Sequence, residues 1–134
     1  MIMLPITLLS AAVAALLNIW LGGRVARLRQ QFKVSVGDGG HEPLLRRMRA
    51  QMNFIENAPF FLVLLAALEL AGADWAWLAA VATVFVQARI AHAFGMDGGE
   101  LARWRTYGMI SSTIATLALT VWALICGVGV LLGG

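Results

Sequence analysis

Arg49, Asn53 and Glu56 stand at i, i+4 and i+7, the spacing that puts three side chains on one face of a helix. Together they offer a cation, an amide and an anion in series, running into an apolar stretch. Such a ladder can grip a zwitterion, the arginine taking a carboxylate and the glutamate an ammonium. The same residues also admit a structural reading. Arg49 could snorkel to lipid phosphate while Glu56 pairs with an arginine of another helix. Ionisable groups at membrane depth cost about 2.5–3.5 kcal/mol each on insertion scales, which makes them functional candidates by default.

Two further pairs sit at helical spacing. Arg89 and His92, at i and i+3, share a face. Arg89 is expected to meet a carboxylate from another helix or from a ligand, and His92 to donate to a carbonyl. Arg103 and Tyr107, at i and i+4, could stabilise an anion, a thiolate included, by charge-assisted hydrogen bonds. Equally, Arg103 and Arg105 could be ordinary interfacial charge, with Tyr107 and Trp104 in an aromatic belt. Gly108, Ser112, Thr116 and Thr120 recur every four residues and read as a packing stripe. No metal site is expected, because the chain has two histidines and one cysteine and zinc sites normally use three or four protein ligands. Cys126 reads as an inert thiol in an apolar run, and Asn18 as a hydrogen-bond partner for a neighbouring helix.

These residues need elements to hold them, and four apolar runs supply them: residues 2–21, 54–71, 75–90 and 107–132. A twenty-residue helix spans about 30 Å, the thickness of a bilayer core. The runs are too long and too continuously apolar for barrel strands. The expected fold is therefore all-α, a single four-helix transmembrane bundle with up-down topology. Pro43 suits the first turn of the second helix, and Gly72-Ala73-Asp74 a tight turn before the third. Pro5 and Pro59 both read as lying near helix beginnings. The glycines between Val36 and Gly40 lack the Lys and Ser/Thr of a phosphate-cradling loop and read as a flexible connection.

Composition agrees. Of 134 residues, 60% are hydrophobic and only 13% charged, where soluble domains average about 25% charged. Mean hydropathy is +0.81. A lone cysteine rules out an internal disulfide framework. The net charge of +3 could suggest nucleic acid, but the basic residues lie in short segments between apolar runs rather than on a solvated face. Seven of the ten lie between the first and second runs, and the other three at or between the ends of the third and fourth. An up-down bundle puts both regions on one side. The positive-inside rule makes that side cytoplasmic and leaves both termini outside.

The segment from Arg49 to Pro59 resembles the RAQxNxxExxP signature of the MAPEG family, the membrane-associated proteins in eicosanoid and glutathione metabolism. Arg89-Ile90-Ala91-His92 is similar to that family's third-helix Arg-x-x-His. Arg103-x-x-x-Tyr107 is similar to the start of its fourth helix, and Arg27-Leu28-Arg29 to its first-helix Arg-x-Arg. The short loops and Leu68-Glu69-Leu70 look most like the bacterial branch. The resemblance implies an inner-membrane homotrimer that binds glutathione between subunits near the cytoplasmic side. Arg27, Arg49, Asn53, Glu56, Arg89 and Tyr107 would contact it. Arg103 would hold its sulfur as the thiolate, the nucleophile for a hydrophobic electrophile or lipid hydroperoxide. Arg105 is a second candidate for that role. Met52 stands where some members carry another basic residue. Trp104 replaces a small serine of the prostaglandin-synthesising members, which argues against that isomerase chemistry. The expected function is a membrane-embedded glutathione transferase with lipid hydroperoxide reduction as a second activity. The alternative is a non-catalytic membrane trimer that binds lipid or assists another membrane protein.

Overall fold

The computed structural model describes residues 3–133. Four helices, α1 (Pro5–Phe32), α2 (Glu42–Leu70), α3 (Trp75–Gly95) and α4 (Ala102–Leu131), follow one another, with a 3₁₀ turn at Gly99–Leu101 leading into α4. All four are long and apolar enough to cross a membrane. At 21–30 residues they measure about 31–45 Å at 1.5 Å per residue. Ile2, the start of the first apolar run, lies outside the described residues.

Local chemistry starts and stops these helices. Pro5 and Pro43 occupy first-turn positions of α1 and α2, where a missing N–H is no loss. The Asp74 carboxylate accepts from the Trp77 backbone N–H at 2.8 Å and caps α3. The turn from α2 to α3 needs a left-handed residue, and Gly72 supplies it at φ +80°. Pro59, in contrast to the expected placement, lies well inside α2. The helix begins at Glu42, before the apolar run, so the proline is interior. Such a proline is tolerated in a membrane helix whose neighbours re-satisfy the backbone. The carbonyl that Pro59 leaves without a helical donor is that of Ile55; in the same turn the Asn57 side-chain amide donates to the Asn53 carbonyl at 2.7 Å.

Connections are short and consecutive helices run antiparallel, giving the up-down bundle. α3 packs most extensively on α4, and α1 on α2, while α2 and α3 form the middle of the assembly. Leu65, Leu68, Leu78 and Leu119 are fully buried there, and the Phe61 and Phe85 rings stack at 3.9 Å. The stripe on α4 packs as expected. A Cβ at Gly108 would overlap the Ala88 carbonyl oxygen and His92. Ser112, Thr116 and Thr120 each donate to a carbonyl of the preceding turn at 2.8–2.9 Å. The outward faces stay apolar: Leu8, Leu16 and Ile19 on α1, and Ile114, Val121 and Leu124 on α4, are all exposed. Surface of that kind belongs against lipid or another subunit.

Each end of the bundle is tied by one acid. At one end the Glu69 carboxylate of α2 accepts from the backbone N–H groups of Ile6 and Thr7, at 2.9 and 2.8 Å, and so caps α1. At the other end Asp97 pairs with Arg24 of α1, and with Arg47 of α2 at 3.2 Å. Arg24 also donates to the Ala93 carbonyl at 3.0 Å and lies over the Trp20 and Phe94 rings. Asn18 departs from expectation. Its Oδ1 is buried without a hydrogen-bond partner among the described residues.

Candidate functional site

The α2 ladder opens into a cleft between α2 and α3 of about 400 Å³, lined by Arg49, Met52, Asn53 and Glu56 from α2 and by His92 and Met96 from the end of α3. Arg49 and Glu56 are exposed. The ion pairs among the described residues use neither of them, so the expected pairing of Glu56 with an arginine of another helix is not made within the chain. Asn53 is held from behind. Its Oδ1 accepts from the Arg89 guanidinium, which also donates to Ser112 Oγ at 3.0 Å. Arg89 is only 3% exposed. It is thus a support behind the cleft wall, fixing which way the Asn53 amide faces.

Within the subunit Arg89 meets an amide and a hydroxyl in place of the expected carboxylate of another helix. His92 is buried on the cleft wall, and its Nδ1 has no hydrogen-bond partner among the described residues. A buried polar atom without a partner is a place for a water or a small shift of the ring.

The remaining candidates lie elsewhere on the subunit. Arg27, Arg103 and Tyr107 are exposed and line neither this cleft nor its neighbour. The Arg103 guanidinium sits 5.8 Å from the centre of the Trp104 ring, and Trp104 meets Tyr107 edge to face at 5.6 Å. Arg105 faces the other way, into an adjoining cleft that shares Arg49 and Met96 with the first. Among the described residues no group of three or more His, Cys, Asp or Glu could hold a metal.

Sequence reasoning missed three pairings that shape this region. Asp97 fixes the end of α3 just beyond Met96, Ser112 anchors Arg89, and Arg47 helps hold Asp97. Their partners lie 23 or more residues away, so no helical spacing could have flagged them.

Residues 7–125 match the MAPEG family model. The chain belongs to the MAPEG family. Among curated proteins it is similar to the inner membrane protein YecN of Escherichia coli strain K12 and to that of Escherichia coli O6:H1 strain CFT073. It is 35% identical to each over 118 residues, which cover 88% of both chains. The MAPEG match spans all four helices, from the first turn of α1 to near the end of α4. This is a multi-pass integral membrane protein.

Proposed function

We propose that this MAPEG protein binds glutathione in the α2–α3 cleft and activates its thiol for attack on electrophiles dissolved in the membrane. The observation that carries the reading is the cleft itself. There Arg49, the Asn53 amide and Glu56 lie in series on one wall, with no ion-pair partner for either charge among the described residues, and His92 lines the wall opposite. The γ-glutamyl end of glutathione carries a carboxylate and an ammonium, which suit Arg49 and Glu56. The amide held by Arg89 adds orientation. A guanidinium beside the sulfur lowers the thiol pKa as it would for a cysteine. The thiolate then forms a C–S bond with an electrophilic carbon as the leaving group departs with the bond's electron pair. With a lipid hydroperoxide the same thiolate attacks the terminal oxygen, and the O–O bond's electron pair leaves on the lipid alkoxide. The alkoxide takes up a proton to become the alcohol, and the glutathione sulfur becomes a sulfenic acid. A second glutathione then closes the disulfide and releases water.

Arg27, Arg103 and Tyr107 lie on outer faces of the subunit. In a homotrimer they would close the cleft of an adjacent copy, with Arg103 as thiolate stabiliser. The basic end of the bundle would face the cytoplasm, with both termini outside, in an inner membrane like that of the YecN relatives. One observation favours the rival reading, a non-catalytic trimer binding lipid or assisting another membrane protein: Arg103 rests on Trp104, away from the cleft.

Ultraviolet difference spectroscopy of the detergent-purified protein, titrated with glutathione near neutral pH, separates the readings. A saturable thiolate absorbance is expected. Arg103→Ala should abolish it while calorimetric binding persists, and Glu56→Gln should weaken binding by about ten-fold or more, the worth of one hydrogen bond to a charged group. Loss of the absorbance in Arg105→Ala instead would move the role to Arg105. Binding without any thiolate signal in the unmodified protein would favour the non-catalytic trimer.

A further inference from the structure

The adjoining cleft, about 280 Å³ at the basic end, brings together Arg46 and Arg49 of α2 and Arg105 in the first turn of α4, against a wall of Gly95, Gly98 and Ala102. Glutamate supplies little neutralisation there. Arg46 Nε donates to Glu42 at 2.9 Å, and the ion pairs among the described residues include neither Arg49 nor Arg105. Three guanidinium groups therefore line one cleft with a single carboxylate among them, an excess of positive charge that favours an anion. The opposite wall is bare by construction. A Cβ on Gly98 would collide with the Arg46 guanidinium, and one on Gly95 with the α4 backbone at Arg105. The cleft is thus a space closed on one side by small residues and edged on the other by unspent donors.

We propose that this cleft binds the phosphate of an anionic molecule, with a phospholipid headgroup as the source. A planar carboxylate offers its oxygens to one guanidinium fork. The tetrahedral oxygens of a phosphate can accept from donors on α2 and α4 at once, and arginine suits that geometry. The volume lies near the lower end of small-molecule sites, about 300–1,000 Å³, enough for a headgroup. The depth also fits. Arg46 and Arg49 lie in the first two turns of α2, and Arg105 in the first turn of α4. That is the level at which such helices leave the hydrocarbon core for the headgroup layer. The proposal does not depend on glutathione binding.

The test is native mass spectrometry of the delipidated, detergent-purified full chain offered phosphatidylglycerol or phosphatidylcholine, with calorimetric titration of inorganic phosphate alongside. One phosphatidylglycerol retained per chain is expected, in preference to phosphatidylcholine. Arg105→Gln and Arg46→Gln should each weaken retention by about ten-fold, and Arg105→Lys should restore part of it. Lys33→Gln, an exposed cation at the same end of the bundle, should change nothing. Phosphate binding that needs Arg105 but shows no lipid preference would keep the site and make its source a free phosphate. Retention insensitive to both arginine replacements, or equally sensitive to Lys33→Gln, overturns the proposal. Either arginine variant suffices if the other does not fold.

Discussion

Asp97 accepts hydrogen bonds from two arginines of two different helices, and one of these, Arg24, has a side chain only 10% exposed. An arginine so enclosed depends on its acid, since removing one partner of a desolvated pair leaves the other charge uncompensated. Asp97→Ala should therefore lower stability by about 1–3 kcal/mol, the cost of a charged group losing its partner at a partly exposed site. The combined change Arg24→Met and Asp97→Leu should recover most of the loss, because apolar residues of similar volume often replace such pairs without penalty. Thermal unfolding of the variants in one detergent checks both. The contrast with the α2 ladder shows which residues sequence can reveal. Arg49, Asn53 and Glu56 lie on one helix, so spacing alone puts them on one face. Arg24 and Asp97 are 73 residues apart, and only the packed bundle makes them neighbours. The same holds for Glu69, legible as a charge near the end of an apolar run, but not as the cap of a helix 62 residues earlier.

The helices overrun the apolar runs that announced them. α2 starts at Glu42 and α3 continues to Gly95, although hydropathy marks their membrane portions as 54–71 and 75–90. Hydropathy reports where lipid ends, whereas a helix continues for as long as its backbone can bond to itself. The overrunning turns carry Arg46, Arg49 and His92, so both clefts are built from helix beyond or at the edge of the apolar segments. The α3–α4 contact was more readily legible, because small residues every four positions specify close approach. Gly108 is where that contact is tightest. Gly108→Ala should cost about 1–3 kcal/mol, as overpacking does. It should also disturb Arg89, whose anchor Ser112 lies one turn along α4. A lower unfolding temperature, with weaker glutathione binding in the same preparation, would bear this out. Thr113→Ala, on the exposed face of α4, serves as the silent comparison.

Taken as a whole, the molecule has one end rich in arginine and another where the positive residues are absent, with an apolar barrel of helix surface between them. Four apolar runs and the placement of ten basic residues were enough to foresee that bundle. The buried networks that hold the helices in register were not foreseeable, since each is assembled from separate segments. α1 depends on them at both its ends. The acid that caps its beginning belongs to α2, and the acid and carbonyl that receive Arg24 belong to the end of α3. Chains emerge from the ribosome N-terminal part first, so during synthesis α1 must wait for both. A nascent chain arrested after Leu70 would hold Arg24 with no acceptor, while one extended past Gly98 would satisfy it. Protease challenge of arrested chains in membrane vesicles should find α1 labile in the first and protected in the second. Although it precedes the other three helices in synthesis, α1 settles only once α3 is complete.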